Sequence, residues 1–447
     1  DTTYFGYSSS SPSQLAVNTS GDYLVAVTVP IQQAGTAGTR STSEADVRVN
    51  GGKKNIGVSR AFIRTSGGNS QSSNHLYVLL KGLSSGDYIE SYVRNITTAT
   101  DVITIPSQAS MYVEYIGNDQ NVYFGLGTTT TSGTNFNPAA TSTVSWYDDS
   151  TLGRSDSNYT HNNSSASTTI TLAANADYMV FVNIPYTGAA ANEDVIGRVL
   201  LNGTLVTGGD FKQGYIDNTS GATDASIQWS GVVHATTTNS KLSVIVRQSA
   251  AAGTVTVNND TASIYIQQLP STGVYYGTAT TTSFGGSDWN LSAANATTSL
   301  WTNDIVKDAT MYGHATSSNS FRITAGPTGD YLLALNDSRN SASTRTNEIT
   351  QISVNGTPVS GALTQTHFVR NTGGHNQSSG SLVYLLRNLS ASSTITVTTV
   401  TEPGTTLGAA NEDQPAVFML WHKTAQSNFT QDTERWYDNV NAEPPTD

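Results

Sequence analysis

A turn ending in Asp-Tyr and opening an apolar strand occurs three times in this chain: Gly21-Asp22-Tyr23-Leu24-Val25-Ala26-Val27, Ala176-Asp177-Tyr178-Met179-Val180-Phe181-Val182 and Gly329-Asp330-Tyr331-Leu332-Leu333-Ala334-Leu335. Repetition at this interval means three copies of one domain, each with its own small core. An Asn-Gly pair follows in every copy, at Asn50-Gly51, Asn202-Gly203 and Asn355-Gly356, after runs such as Val47-Arg48-Val49 or Ile352-Ser353-Val354. Asn-Gly accepts the positive φ of a type I′ turn, so each pair marks a tight hairpin.

Phe62-Ile63-Arg64, Gly67-Gly68 and Gln71-Ser72-Ser73 return as Phe368-Val369-Arg370, Gly373-Gly374 and Gln377-Ser378-Ser379. The second copy has Tyr215-Ile216-Asp217-Asn218 there, so copies one and three are the closer relatives. Each copy closes on a β-rich stretch, residues 109–116, 262–269 and 415–422, and no amphipathic helix is legible. Short strands separated by Gly, Asn and Ser turns predict an all-β chain of three tandem jelly-roll β-sandwich domains with extended linkers.

The expected spans are a first domain at 1–116, a linker at 117–138, a second domain at 139–269, a linker at 270–293, a third domain at 294–424 and a donor-strand segment at 425–447. The linkers open alike, with Val122-Tyr123-Phe124-Gly125 and Val274-Tyr275-Tyr276-Gly277 before Thr-rich tracts, and read as extended connectors or extra edge strands.

The strand order resembles the jelly roll shared by tumour necrosis factor and the complement-type globular head, in particular its divergent bacterial and phage members. That resemblance implies packing around a threefold axis and a binding or structural role. It carries over no ligand residue.

A Trp segment precedes the second and third copies, at Ser145-Trp146-Tyr147-Asp148-Asp149 and Leu300-Trp301-Thr302-Asn303-Asp304. None precedes Asp1, and a similar segment, Glu434-Arg435-Trp436-Tyr437-Asp438, follows the third copy. The first domain is therefore expected to lack its first strand, with Tyr4, Phe5 and Tyr23 at the acceptor end and Glu434, Arg435, Trp436, Tyr437 and Asp438 as donor. An incomplete jelly roll exposes unpaired backbone, which proteins seldom leave uncovered. The 14 positions from His422 to Trp436 span at most about 50 Å, which favours donation to a neighbouring copy and an open head-to-tail filament. Return of the tail to its own first domain, closing a pseudo-trimer, is the alternative.

Composition sets the remaining expectations. Charged residues make up 12% of the chain and the formal charge is −12, which disfavours nucleic acid and anionic membranes as partners. The absence of cysteine excludes disulfides and thiolate chemistry. A start at Asp1 without methionine and the absence of any apolar run of membrane-spanning length predict a secreted, extracellular or cell-surface protein. Glycosylation acceptors of the Asn-x-Ser/Thr type occur at Asn18, Asn95, Asn158, Asn162, Asn163, Asn202, Asn218, Asn259, Asn290, Asn295, Asn336, Asn355, Asn376, Asn388 and Asn428.

The seven histidines show no metal-ligand spacing and no nucleophile motif is present, so no enzyme activity is expected. No cofactor is expected either; Asp148-Asp149, Asn192-Glu193-Asp194 and Asn411-Glu412-Asp413 are the candidates for calcium. The chain itself is the expected partner, with glycans as the alternative, bound by an adhesin or a virion fibre or spike module.

Overall fold

In the computed structural model, the described residues are 3–7, 11, 13–34, 40–54, 56–64, 70–97, 102–104, 109–117, 121–127, 135–136, 142–148, 153–162, 168–188, 193–216, 223–248, 255–257, 262–279, 289–292, 297–298, 301, 303–314, 323–340, 345, 347–366, 368–369, 377–401, 406–409, 416–423 and 429–432. Their regular structure is entirely β. Twenty-four strands, eight per repeat, carry the architecture.

Repeat one contains β1 (Leu15–Val17), β2 (Gly21–Ala34), β3 (Arg40–Val49), β4 (Ser59–Arg64), β5 (Gln71–Leu83), β6 (Tyr88–Asn95) and β7 (Ser110–Tyr115). Next come β8 (Val122–Gly127), β9 (Ile170–Leu172), β10 (Asp177–Gly188), β11 (Glu193–Leu201), β12 (Thr204–Ile216), β13 (Asp224–His234), β14 (Ser240–Gln248) and β15 (Ser263–Gln268). The last group is β16 (Val274–Ala279), β17 (Ile323–Ala325), β18 (Gly329–Asn340), β19 (Glu348–Val354), β20 (Thr357–Gln365), β21 (Gln377–Leu389), β22 (Thr394–Thr401), β23 (Ala416–Lys423) and β24 (Phe429–Asp432).

Every repeat builds two antiparallel sheets with one plan. The outer sheets run β1-β6-β3-β4, β9-β14-β11-β12 and β17-β22-β19-β20. The inner sheets contain β7-β2-β5, β15-β10-β13 and β23-β18-β21. In order within a repeat, the outer sheet reads second, seventh, fourth, fifth and the inner reads first, eighth, third, sixth. This interleaving is a jelly roll.

The first strand of each inner sheet lies outside the stretch of sequence that holds the other seven. β8, expected within a connector or extra edge strand, pairs with β15 of repeat two from Val122↔Gln267 to Leu126↔Ser263. β16 pairs with β23 of repeat three from Val274↔Trp421 to Ala279↔Ala416. β24 pairs with β7 of repeat one, in the register Glu114↔Phe429, Val113↔Thr430, Tyr112↔Gln431 and Met111↔Asp432. The intervals match: β8 begins seven positions after β7 ends (115 to 122), β16 six after β15 (268 to 274) and β24 six after β23 (423 to 429).

The strand observed on repeat one is thus Phe429–Asp432, paired within the chain to its own first repeat. The segment 434–438 lies outside the described residues. Intramolecular docking gains from effective concentration, and the connector from Lys423 to Phe429 is as short as those of the other joints.

Local chemistry explains the recurring landmarks. The Asn-Gly hairpins have the expected positive φ, 54° and 77° at Asn50-Gly51, 51° and 79° at Asn202-Gly203, and 51° and 80° at Asn355-Gly356. The tyrosine of each Asp-Tyr pair is buried and donates its hydroxyl four residues upstream: Tyr23 to the Thr19 carbonyl, Tyr178 to Ala174 at 3.0 Å and Tyr331 to Pro327 at 2.5 Å. Each is a tyrosine corner fixing the entry to the third strand. Burial, with Tyr115 nearby, pushes the Tyr23 hydroxyl up to about 12.

Trp146 pairs with Gly127 and is fully buried in the core of repeat two, and Trp301 is fully buried against Phe418 in repeat three, ring centroids 5.1 Å apart. No helix among the described residues is long and apolar enough to cross a membrane.

Candidate assembly interface

The third strand of each inner sheet is apolar on both faces, and the two faces have different partners. In β10, Tyr178, Val180 and Val182 enter the core of repeat two, while Met179 and Phe181 belong to a cluster shared with repeats one and three. In β18, Leu333 and Leu335 face inward to repeat three, while Leu332 and Ala334 join the shared cluster. That cluster also holds Tyr77 and Leu79 of repeat one, Val232 and Tyr265 of repeat two, and Leu385 and Met419 of repeat three. Register makes Leu79, Val232 and Leu385 equivalent, as it does Tyr112, Tyr265 and Met419. Three inner sheets therefore surround a common apolar axis. The Tyr77 and Phe181 rings pack 4.9 Å apart across it, a contact contributing about 0.5–1.5 kcal/mol beyond area burial.

Hydrogen bonds around this axis form a closed circuit. The Arg60 amide of β4 donates to Ser226 Oγ of β13 at 2.8 Å, the Lys212 amide of β12 donates to Ser379 Oγ of β21 at 2.8 Å, and the Gln365 amide of β20 donates to Ser73 Oγ of β5 at 2.9 Å. The three donors are equivalent in register, and so are the three acceptors. Repeat one therefore bonds to two, two to three and three to one. Each bond satisfies a backbone donor that burial would otherwise leave costly.

Two joints add an asparagine, with Asn183 Nδ2 donating to the Val58 carbonyl at 2.9 Å and Asn336 Nδ2 to the Asp210 carbonyl at 3.3 Å. The Tyr77 hydroxyl meets Ser381 Oγ at 2.8 Å, and Ser381 meets Ser230 at 2.9 Å, so all three repeats share one hydroxyl chain. Burial pushes the Tyr77 hydroxyl up to about 12 despite these bonds.

The joint from repeat three to repeat one is ionic. Lys423 Nζ lies 2.7 Å from Glu114 Oε1, with side-chain exposures of 1% and 0%. Tyr112 donates its hydroxyl to Glu114 Oε2 at 2.6 Å, and Lys423 Nζ sits 3.6 Å from the centroid of the Trp421 ring. Burial lowers the Lys423 pKa, against the opposing pull of Glu114.

Repeats two and three contain a buried aromatic clasp. His161 Nδ1 is 3.2 Å from Asp148 Oδ1, with the Tyr123 ring set edge-on 5.6 Å away. The counterpart is tighter: His314 Nδ1 is 2.6 Å from Asp304 Oδ1, which also accepts from the Tyr275 hydroxyl at 3.0 Å. Burial and the Asp304 charge drive the Tyr275 pKa upward. Each clasp ties a Trp segment to the first strand and to the hairpin before the second.

Of the residues expected at the acceptor end, Phe5 and Tyr23 are buried and Tyr4 is half-buried, its ring stacked on Tyr115 at 4.8 Å. Phe5 meets Tyr23 edge-on at 5.8 Å. Among the glycosylation acceptors, Asn18, Asn162, Asn202, Asn355 and Asn388 are exposed, and Asn95 and Asn158 are partly so. Asn336 is buried at the joint with its amide nitrogen engaged, and that environment has no room for a glycan. Asn163, Asn218, Asn259, Asn295, Asn376 and Asn428 lie outside the described residues, and Asn290 is described only as backbone in a strand.

For calcium, Asp148 is engaged with His161, while Asp149, Asn192 and 411–413 lie outside the described residues, as do the side chains of Glu193 and Asp194. Among the described residues no group of three or more His, Cys, Asp or Glu is arranged to hold a metal.

The relay serines and the Glu114–Lys423 pair escaped sequence reading because their partners lie more than 160 positions away. The shared axis did leave a signal. Runs such as Leu76-Tyr77-Val78-Leu79-Leu80 lack the alternation of a half-solvated strand, which is the mark of burial on both faces.

No family model matches the chain, and no curated protein matches it. Among solved structures, murine APRIL at pH 5.0 is 10% identical, covering 34% of this chain and 100% of its own, with a TM-score of 0.25. Eiger TNF from S. frugiperda is 12% identical, covering 34% of this chain and 94% of its own, with a TM-score of 0.23. The infectious bursal disease virus Gx strain structure is 8% identical over 98% of this chain and 76% of its own, with a TM-score of 0.21. The jelly-roll assignment stands on the strand order and register of this chain.

Proposed function

We propose that this chain is a non-enzymatic structural module of an extracellular surface, in which three jelly rolls close on one another as a single-chain counterpart of a trimer. The closed circuit of amide-to-serine bonds through Ser226, Ser379 and Ser73 carries this reading, because it runs through all three joints in one sense and returns to its start. The outer sheets and their exposed Asn-Gly hairpins then offer three attachment faces to glycans or receptors. Scattering and mass measurement on the full chain are expected to give a compact one-chain particle. A particle that is elongated at all concentrations would overturn closure.

Head-to-tail polymerisation is the second reading, favoured by one observation. The β24–β7 joint has four register pairs, against five for β8–β15 and six for β16–β23. The shortest joint is the one to open, and the same pairing made between copies gives a non-closing filament. Electron microscopy of concentrated protein tests it: filaments that vanish when residues 424–447 are removed support it, and compact particles alone refute it.

A further inference from the structure

Among the described residues, a fully buried ion pair between repeats is found where repeat three meets repeat one. Hydrogen bonding and register place Ile116, Leu269 and Lys423 at one position, opposite Asp22, Asp177 and Asp330. They likewise place Glu114, Gln267 and Trp421 at one position. Lysine and glutamate are thus found only where repeat three meets repeat one, while the equivalent positions carry Ile116, Leu269, Gln267 and Trp421.

Such a pair adds little over well-packed apolar residues, since desolvation offsets the attraction, but one partner without the other is strongly unfavourable. Lys423, with its side chain 1% exposed, tolerates only a surface that presents a carboxylate at that depth. Of the three equivalent positions Glu114, Gln267 and Trp421, only that of repeat one does so, at Glu114. The register Glu114↔Phe429 also places β24 directly beside this carboxylate, so the ion pair and the strand pairing occupy one patch.

We infer that the Glu114–Lys423 pair is a recognition element by which repeat three selects repeat one, and that it selects the first repeat of a second copy of this chain when closure within the chain is denied. The inference rests on the closed arrangement proposed above. Nothing in the pair distinguishes Glu114 of the same chain from Glu114 of another, so local concentration decides, and concentration is open to experiment.

Charge reversal tests this in the full-length chain. Glu114→Lys and Lys423→Glu each bury like charges, so each variant alone is expected to lose the compact one-chain form. Mixed in equal amounts, they are expected to form a complex of two chains, because each mismatched half meets its complement in the other variant. The double variant Glu114→Lys/Lys423→Glu is expected to recover the one-chain particle, which separates lost recognition from lost folding. Lys423→Met, which removes the charge and leaves Glu114 unpaired, is expected to lower the thermal midpoint without creating any preference for Glu114→Lys as partner.

Single variants that keep the mass, shape and thermal midpoint of the parent chain would overturn the inference, as would a double variant that stays open or a mixture that yields no two-chain species. If the parent chain is itself not a compact one-chain particle, the closed arrangement fails first, and the two failures are told apart.

Discussion

Repeats one and three are the closest relatives in sequence, yet they are held together by different means. Repeat three takes its first strand from the segment just before it, buries Trp301 in its core and locks that segment with the Tyr275, Asp304 and His314 clasp. Its outer sheet is nearly uncharged, with Ile349 where repeat one has Glu44. Repeat one takes its first strand from beyond repeat three and relies on ions. Glu44, with 2% of its side chain exposed, is contacted by Lys53 at 2.7 Å, Arg60 at 3.0 Å and Arg94 at 2.7 Å, and Arg60 reaches Asp224 of repeat two at 3.4 Å. One plan thus accepts either an apolar residue, Ile349, or a cluster of ions around Glu44 at the same outer-sheet position. Charges select partners more sharply than they stabilise them.

Truncating one core at a time gives the largest expected effect. Trp301→Ala and Phe5→Ala are each expected to cost about 3–5 kcal/mol, the first stripping hydrogen-exchange protection from β18 and β23, the second from β2 and β7. Loss of protection throughout the chain in either variant would show that the repeats melt as one unit and that the contrast is only local.

Acid titration comes next. Burial alone would raise the Glu44 pKa, but hydrogen bonds and charge from Lys53, Arg94 and Arg60 hold it at about 2. A depressed folded-state value means stability that is present above the ordinary carboxylate range and is lost as pH falls toward 2. The loss is expected to be about 3 kcal/mol at most and confined to repeat one. Glu44→Gln should flatten that acid limb in a fluorescence or circular-dichroism titration, whereas the equivalent position of repeat three, Ile349, contributes nothing to it.

Asp304→Asn removes a charged acceptor from the clasp and is expected to cost about 1.5–3 kcal/mol, seen as faster exchange around Trp301 with repeat one unchanged. The smallest effect is expected from Ser73→Ala and Ser379→Ala, about 1 kcal/mol each by denaturant unfolding. Near-equality of the two is the point of that comparison, since the amide-to-serine circuit is a device that both repeats share. A tenfold disparity in their unfolding constants would mean that the joints are not equivalent.

Much of this was legible in the chain itself. Asn50-Gly51 and its counterparts announce hairpins because their chemistry is local, and Asp22-Tyr23 announces a turn into a strand for the same reason. Trp146 and Trp301 are buried in the cores of the repeats that follow them, but the first strands of those repeats are the earlier Val122–Gly127 and Val274–Ala279. Phe429–Asp432 was not found, because Asn428-Phe429-Thr430-Gln431 has neither the apolar run of Val122–Gly127 nor its glycines, and only the interval from Lys423 marks it as the same element. Asn336 looks like any glycosylation acceptor until Asp210 is placed against it, a neighbour that no window on the sequence contains.

In a homotrimer every substitution is made three times, and a lysine placed at one interface is placed at all of them. Covalent linkage of the three jelly rolls removes that constraint: Lys423 faces Glu114 once, and Ile116 and Leu269 remain at the two sister positions. Each seam of the ring is therefore a separately heritable trait, free to be tightened, loosened or given a new specificity while the other two hold the particle together.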